Sequence, residues 1–270
     1  MLGVAARGHA WREPRGVGAQ DQKQDRCSRR QQQDEPWAPD VESRLQIYQY
    51  GGASSSLQAA VTYARQAVRS FVIIGQKAVA SGEFLLNDLA GSSGRLDVLL
   101  RCIRAAILVS HGVRRGVVVY LVLRGGPRAP RVLRVDAAAT KFLRPDERSL
   151  ATLVQKALGA DAEGDDQAFV LVRPGLSVRR GGVDEIIPEL ADAPLFVLEP
   201  NGADVRHIPD IAPAHAAFVI GDHLGLDEET RANLAARGAI PIRVGPVAIH
   251  ADDVVAILSN ELDRREARPS

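Results

Sequence analysis

Leu195-Phe196-Val197-Leu198 runs into Glu199-Pro200-Asn201-Gly202, and Phe218-Val219-Ile220 runs into Gly221-Asp222-His223-Leu224-Gly225. Ile242-Arg243-Val244 runs in the same way into Gly245-Pro246-Val247-Ala248-Ile249-His250. Each begins as a short β-branched or aromatic stretch and closes on Gly, Pro or Asp, the pattern of a strand followed by a turn. The third leads straight into a helical pattern. Asp252 and Asp253 sit in its first turn, where the helix dipole favours acids, and Val254, Val255, Ile257, Leu258 and Leu262 fall on one side. In an α/β sheet, ligands lie outside the carboxyl ends of the strands, where such loops gather. Glycines there admit close backbone approach and suit a nucleoside-like cofactor, although loops of this kind also serve simply as turns.

Further strands are expected at 70–74, 117–123, 131–135 and 169–172, and the three above at 195–198, 216–220 and 239–244. Helices are expected at 95–110, 146–158, 184–191, 227–236 and 251–264. The first carries Leu96, Leu99, Leu100, Ile103 and Ile107 at helical spacing. The second has Pro145, Asp146 and Glu147 at its start and Gly159 at its stop. Strands interleaved with helices predict an α/β fold with a mostly parallel sheet flanked by helices. Residues 7–40 differ sharply, being rich in Gln, Arg, Asp, Gly and Pro, as in Arg29-Arg30-Gln31-Gln32-Gln33-Asp34. Too few apolar groups stand there to offset ordering entropy, so 1–67 is expected to be disordered or dispensable.

Composition narrows the classes. The 270 residues carry a net charge of +1, yet 95–148 hold twelve basic and four acidic groups, whereas 149–270 hold eleven and twenty. A basic segment beside an acidic one suits a polyanion-binding face, and equally an Arg-rich solvated surface. Only four of the 34 basic residues are Lys, a bias that makes any single arginine weak evidence. Aromatics at 4% argue against a nucleic-acid site built on base stacking. The apolar run Val117 to Leu123 is too short to span a bilayer, and no signal-peptide pattern opens the chain, so a cytoplasmic protein without membrane contact is expected. Cys27 and Cys102 have no metal or disulfide spacing, and no metal is expected. There is no GxGxxG after the first strand, and no GxxxxGK[ST], HExxH or GxSxG. Ser110-His111 lacks an orienting acid.

Seven segments, in order, carry a family resemblance. They are Phe84-Leu85-Leu86-Asn87-Asp88-Leu89-Ala90-Gly91-Ser92-Ser93-Gly94-Arg95-Leu96-Asp97, Arg101-Cys102-Ile103, Ser110-His111-Gly112-Val113-Arg114-Arg115 and Arg144-Pro145-Asp146-Glu147-Arg148. Pro174-Gly175-Leu176-Ser177-Val178-Arg179-Arg180, Phe218 to Gly225 and His250-Ala251-Asp252 follow. From about Val68 to the end the chain resembles the SPOUT-class pseudouridine N1-methyltransferases, most closely the tRNA (pseudouridine-54) N1-methyltransferase family, TrmY. The resemblance implies a SPOUT domain over 68–270 with a C-terminal trefoil knot at about 195–264, a homodimer, and S-adenosyl-L-methionine as cofactor. It carries cofactor contacts onto Leu198, Gly221, Val244, Gly245, Pro246, Val247, Ala248, Ile249 and Val254. The family's Ser-Pro-Leu-Glu-Leu is Gly245 to Ile249 here, and a family cysteine is Val254. The family's own start would fall at Val68-Arg69-Ser70-Phe71, which leads us to expect translation from Val68.

The implied reaction is methylation of N1 of a pseudouridine, pseudouridine-54 in the T-loop of tRNA. Its imide nitrogen must lose a proton to attack a sulfonium methyl group, which calls for a base or for stabilisation of the anion. Asp97 is the leading carboxylate and Arg95 its catalytic neighbour, with Asp222 and His223 as competitors. Arg114, Arg115, Arg179 and Arg180, with Arg95, are assigned to RNA. Another RNA target, a non-catalytic RNA-binding assembly factor on the same fold, and a Rossmann-type enzyme are the alternatives.

Overall fold

Strand β1, Arg69–Val79, is buried along Arg69 to Ile74 and shows why the sheet is central. A parallel strand covered on both faces reads as a continuous apolar run, and Phe71-Val72-Ile73-Ile74 is one. Alternate side chains enter two cores. Phe71 and Ile73 join one layer, Val72 and Ile74 the other. The computed structural model describes residues 68–267 apart from 142, 161–167, 191–192 and 210, so the expected dispensable stretch 1–67 lies outside the described residues.

After β1 come the short helix α1 (Leu89–Ser92) and α2 (Leu96–Ile107). A small antiparallel hairpin, β2 (Leu108–Val109) and β3 (Gly112–Val113), leads to β4 (Val117–Gly125) and β5 (Arg131–Asp136). Next stand α3 (Glu147–Gly159), β6 (Val170–Arg173), β7 (Leu176–Arg180) and α4 (Val183–Leu190). The C-terminal part holds β8 (Leu195–Asp204), β9 (Ala216–Gly221), α5 (Glu228–Ala236), β10 (Ile240–Arg243) and α6 (Ala251–Glu266). The eight-stranded sheet has the order β10-β8-β9-β1-β4-β5-β7-β6. Its first five strands are parallel, and β5, β7 and β6 extend it antiparallel. The structure is therefore mixed α/β with a mostly parallel sheet. Core residues of α2, α3 and α6 cover one face, those of α4 and α5 the other. Phe71, Phe218 and Phe196 stack across β1, β9 and β8 at 5.6 and 5.4 Å, tying the parallel strands below the loops.

Two local expectations change, and a segment without an expected element becomes a strand. Pro174-Gly175, with Gly175 at φ 77°, turns β6 back into β7, Leu176–Arg180. The expected helix 95–110 ends at Ile107, and Ser110-His111 forms the exposed tip of the β2–β3 hairpin. Strand β8 continues through Glu199-Pro200-Asn201-Gly202 to Asp204, held by β10 with a register shift at Pro241/Ile242.

Arginines stitch the fold at a distance. Arg69, buried, donates to Asp263 Oδ1 at 2.8 Å, and Arg114 donates to Asp263 Oδ2 at 3.1 and 2.9 Å. Burial pushes the Asp263 carboxyl up, but the two guanidinium groups overcome it and hold it below the usual carboxylate range. Asp263→Ala is expected to cost about 2 kcal/mol, seen as a lower urea midpoint at unchanged slope. An unmoved midpoint would show that the tie contributes nothing.

Candidate active site and cofactor cleft

Residues 198–200 of β8 and the loops after β9 and β10 meet on one side of the switch in strand order, where β1 has β9 on one edge and β4 on the other. That is where open α/β sheets bind ligands. A cleft of about 810 Å³ lies there, within the size range of small-molecule sites. The structure brings all nine expected cofactor residues, Leu198, Gly221, Val244, Gly245, Pro246, Val247, Ala248, Ile249 and Val254, onto its wall. Gly221 is required by close approach, since a Cβ there would stand 2.5 Å from the backbone carbon of Gly225. Gly245, by contrast, has open space where a Cβ would be.

The cleft suits an S-adenosylmethionine-sized group. Leu198, Ile220, Val244 and Val254 supply apolar surface for a flat ring, and the glycine-bearing loops expose backbone donors and acceptors. The first turn of α6 also faces it through His250, Ala251, Asp253 and Val254, and no side chain caps that helix. Its amides there can serve an anionic ligand group.

Asp222 belongs to the cleft wall, and its carboxylate is engaged in holding the loop. Its side chain is fully buried, and its two oxygens accept from the amides of Gln76 at 2.9 Å and Leu224 at 2.9 Å. Its own amide donates to Ile74 O at 2.9 Å. The loop after β9 is thus tied to the end of β1. Below it, Asp227 gathers Arg124, Gln76 and Thr230. Burial opposes ionisation of Asp227, but hydrogen bonds from Thr230, Gln76 and Arg124 prevail and hold its carboxyl well below the usual range.

The expected catalytic pair divides. Arg95 lines the cleft and is the one residue other than glycine with positive φ, 69°, among the described residues. Asp97 is buried behind it and is not on the cleft wall. Arg95 donates to Asp97 through Nε at 2.9 Å and Nη2 at 3.1 Å, and Arg101 donates to Asp97 Oδ2 at 3.1 Å. Burial alone would push the Asp97 carboxyl up. Hydrogen bonds and charge from both arginines outweigh it and keep the group below the ordinary range. A carboxylate so engaged is a poor proton acceptor and a good holder of a guanidinium. The bidentate fork sets the direction of Arg95.

Of the five arginines assigned to RNA, Arg95 lines the cleft, and Arg114 and Arg179 have partners within the fold. Arg114 serves Asp263, and Arg179 lies over the Phe169 ring at 5.6 Å while donating to Glu185 O at 2.9 Å. Arg115 and Arg180 are exposed. Residues without an assigned role also enter the site: His250, and the Glu199–Arg231 pair at 2.7 Å, all line the cleft. Arg101 meets Asp97, Glu147 and Asp252. The four-residue spacing of Asp97 and Arg101 on a helix was the available signal for the first of these contacts.

Among the described residues no group of three or more His, Cys, Asp or Glu could hold a metal ion, and no helix is long and apolar enough to cross a membrane. A family profile described as "Putative SAM-dependent RNA methyltransferase" matches residues 68–267. The tRNA (pseudouridine(54)-N(1))-methyltransferase of Methanosarcina acetivorans is 40% identical over 200 residues, covering 74% of this chain and 93% of that protein. The protein of the same name from Methanocaldococcus jannaschii is 35% identical over 203 residues, covering 73% and 98%. The crystal structure of Archaeoglobus fulgidus Nep1 bound to S-adenosylhomocysteine has the same fold, with a TM-score of 0.51 at 13% identity over 75% of this chain and 100% of that one. The cleft, the order of its loops and the extent of these matches agree: the chain belongs to the tRNA (pseudouridine(54)-N(1))-methyltransferase family of SAM-dependent RNA methyltransferases.

Proposed function

We propose that the protein transfers a methyl group from S-adenosylmethionine to N1 of a pseudouridine, with pseudouridine-54 of the tRNA T-loop as its target. The observation that carries this reading is the convergence of the nine expected cofactor residues and Arg95 on one cleft in a chain of this family. Leu198, Val244, Gly245, Val247 and Val254 would hold the cofactor, and Gly221 would let the loop close beside it. S-adenosylmethionine supplies an electrophilic methyl group when bound.

The chain's own residues must manage the charge that N1 acquires on losing its proton. Arg95, fixed by the Asp97 fork, donates to a carbonyl oxygen of the base and stabilises the anion as it forms. His223, on the cleft wall with Nδ1 3.8 Å from Asp222 Oδ2, is the imidazole placed to take the N1 proton. Asp97 acts through Arg95. The base lies in a folded loop and must be unstacked to reach the cleft.

Residues 68–270 would form the methyltransferase domain, with 195–264 as a trefoil knot. The parallel β8, β9 and β10, packed in the order β10-β8-β9, with residues 198–200 and the loops after β9 and β10 in one cleft, support that assignment. A homodimer accords with the exposed apolar side chains Leu224, Val247 and Ile249 at the cleft, 51%, 70% and 41% exposed, which a second subunit would cover. The protein would work in the cytoplasm, where its tRNA substrate is. Arg115 and Arg180 would meet phosphates.

Incubation with tRNA transcripts bearing uridine or pseudouridine at position 54, followed by mass mapping, tests the reaction. One methyl group is expected on the pseudouridine transcript alone; methylation elsewhere, or none, would refute the target. Affinity for that tRNA should fall steeply with salt, by a log–log slope of about −0.7 to −0.9 for each phosphate contact. Binding that is equal at 50 and 200 mM salt would remove the electrostatic face.

A further inference from the structure

Arg101 stands where three elements meet. From α2 its Nη1 lies 3.1 Å from Asp97 Oδ2 and 3.1 Å from Glu147 Oε1 of α3, and its Nε lies 3.4 Å from Asp252 Oδ2 of α6. Two of these carboxylates connect directly to the cleft. Asp97 carries the fork that aims Arg95. Asp252 belongs to the first turn of α6, and its chain neighbours Ala251 and Asp253 both line the cleft. The chain Asp252–Arg101–Asp97–Arg95 therefore leaves the cleft by its cofactor helix and re-enters it at its arginine.

The charges along this chain do not balance. Arg95 and Arg101 face Asp97, Glu147 and Asp252, two cations for three carboxylates. The deficit is visible at Asp252, whose Oδ1 is buried with no hydrogen-bond partner. An unpaired buried carboxylate oxygen carries a desolvation cost, so Asp252 competes with Asp97 and Glu147 for the same guanidinium. Asp97, Glu147 and Asp252 share this one guanidinium, so a shift of the α6 first turn that draws Arg101 towards Asp252 would loosen its contact with Asp97. A ligand that presses on Val254 and the α6 amides would set that turn, and with it the hold of Arg101 on Asp97.

We propose that Arg101 is a positioning residue that couples cofactor binding at α6 to the orientation of Arg95, so that an occupied cofactor cleft tightens RNA binding. This inference rests on the methyltransferase reading. It assigns no contact with RNA or cofactor to Arg101 itself. Coupling of this form is reciprocal, so RNA must tighten the cofactor product by the same factor.

The test is a binding cycle on the full chain with S-adenosylhomocysteine and pseudouridine-54 tRNA. Each is titrated alone and in the presence of the other. For the unaltered protein, mutual tightening of about fivefold or more is expected. In Arg101→Gln the factor should fall to about one, with S-adenosylhomocysteine affinity alone kept within about threefold. Turnover should drop through kcat, and KM for S-adenosylmethionine measured with tRNA present should rise by about the lost coupling factor. Arg101→Lys, which keeps the charge but not the fork, should restore part of the coupling. Asp252→Asn guards against a folding defect in the first variant: it preserves shape, removes the charge that faces Arg101, and should lose coupling too. Retained coupling in Arg101→Gln or Asp252→Asn, or tight tRNA binding without coupling in the unaltered protein, overturns the inference alone. Failure of the unaltered protein to bind or methylate tRNA overturns the functional reading and the inference with it.

Discussion

Gly221→Ala is expected to weaken S-adenosylhomocysteine binding by about 100-fold or more, as a few kcal/mol of misfit in the cleft wall requires. The added methyl would stand 2.5 Å from the backbone carbon of Gly225 and 2.8 Å from its Cα and carbonyl oxygen. Backbone atoms cannot rotate aside as a flexible side chain can. Nor can the loop drift freely, because Asp222 ties it to Gln76 and Leu224 through its carboxylate and to Ile74 through its amide. The strain must then open the loop, and Gly221 to Leu226 make up one wall of the cleft. The sheet beneath is held by the Phe71–Phe218–Phe196 stack, so the variant should still fold, with a melting temperature lowered by a few degrees per kcal/mol of strain. Calorimetric titration reads the effect. Binding within threefold of the unaltered protein would mean that this cleft is not the cofactor site.

Arg95→Gln is expected to lower kcat by roughly 10²–10³-fold, the usual loss when one donor to a developing anion is removed. S-adenosylhomocysteine affinity should stay within a few-fold, because the loops that form the cofactor wall are untouched. Asp97→Asn should also cost activity, but for a different reason. It weakens the fork at 2.9 and 3.1 Å and leaves Arg95 loosely aimed. If Asp97 were the base, its removal would erase the acidic limb of the pH–rate profile. On the proposed role through Arg95, the profile should keep its shape at a lower height. A profile that loses its acidic limb in Asp97→Asn would return Asp97 to the role of base. The same carboxylate has a stability signature. Its pKa is depressed in the folded chain, so its contribution is present above the unfolded value of about 3.9 and is lost as pH falls through the lower folded value. Across neutral pH it should therefore add no slope to stability.

Two loops of the cleft wall were legible in the sequence because they are made locally. The loops after β9 and β10 follow their strands directly, and Gly221 and Gly245 mark a turn at each strand end, close-packed at Gly221 and open at Gly245. Their meeting in one cleft follows from the parallel pairing of β8, β9 and β10. The arginines were not legible in this way. Arg114 and Arg115 are neighbours in the chain, yet Arg114 closes on Asp263, 149 residues away, while Arg115 remains exposed. Arg179 and Arg180 divide similarly, one over Phe169 and the other at the surface. A guanidinium is long and forms ion pairs wherever a carboxylate is brought near, and that depends on packing between distant elements.

By itself, then, the sequence determined the strand–helix alternation and the loops after β9 and β10, because these depend on periodicity and turn chemistry within about ten residues; the expected loop at Glu199 to Gly202 is instead strand, held by pairing with β10. Tertiary structure alone decided that Arg95 faces the cleft while Asp97 lies behind it, and that Asp222 serves its loop. It also decided that Arg101 gathers acids from α2, α3 and α6. The roles of charged groups depend on burial and on which partners lie within a few ångströms, and those are properties of the packed elements.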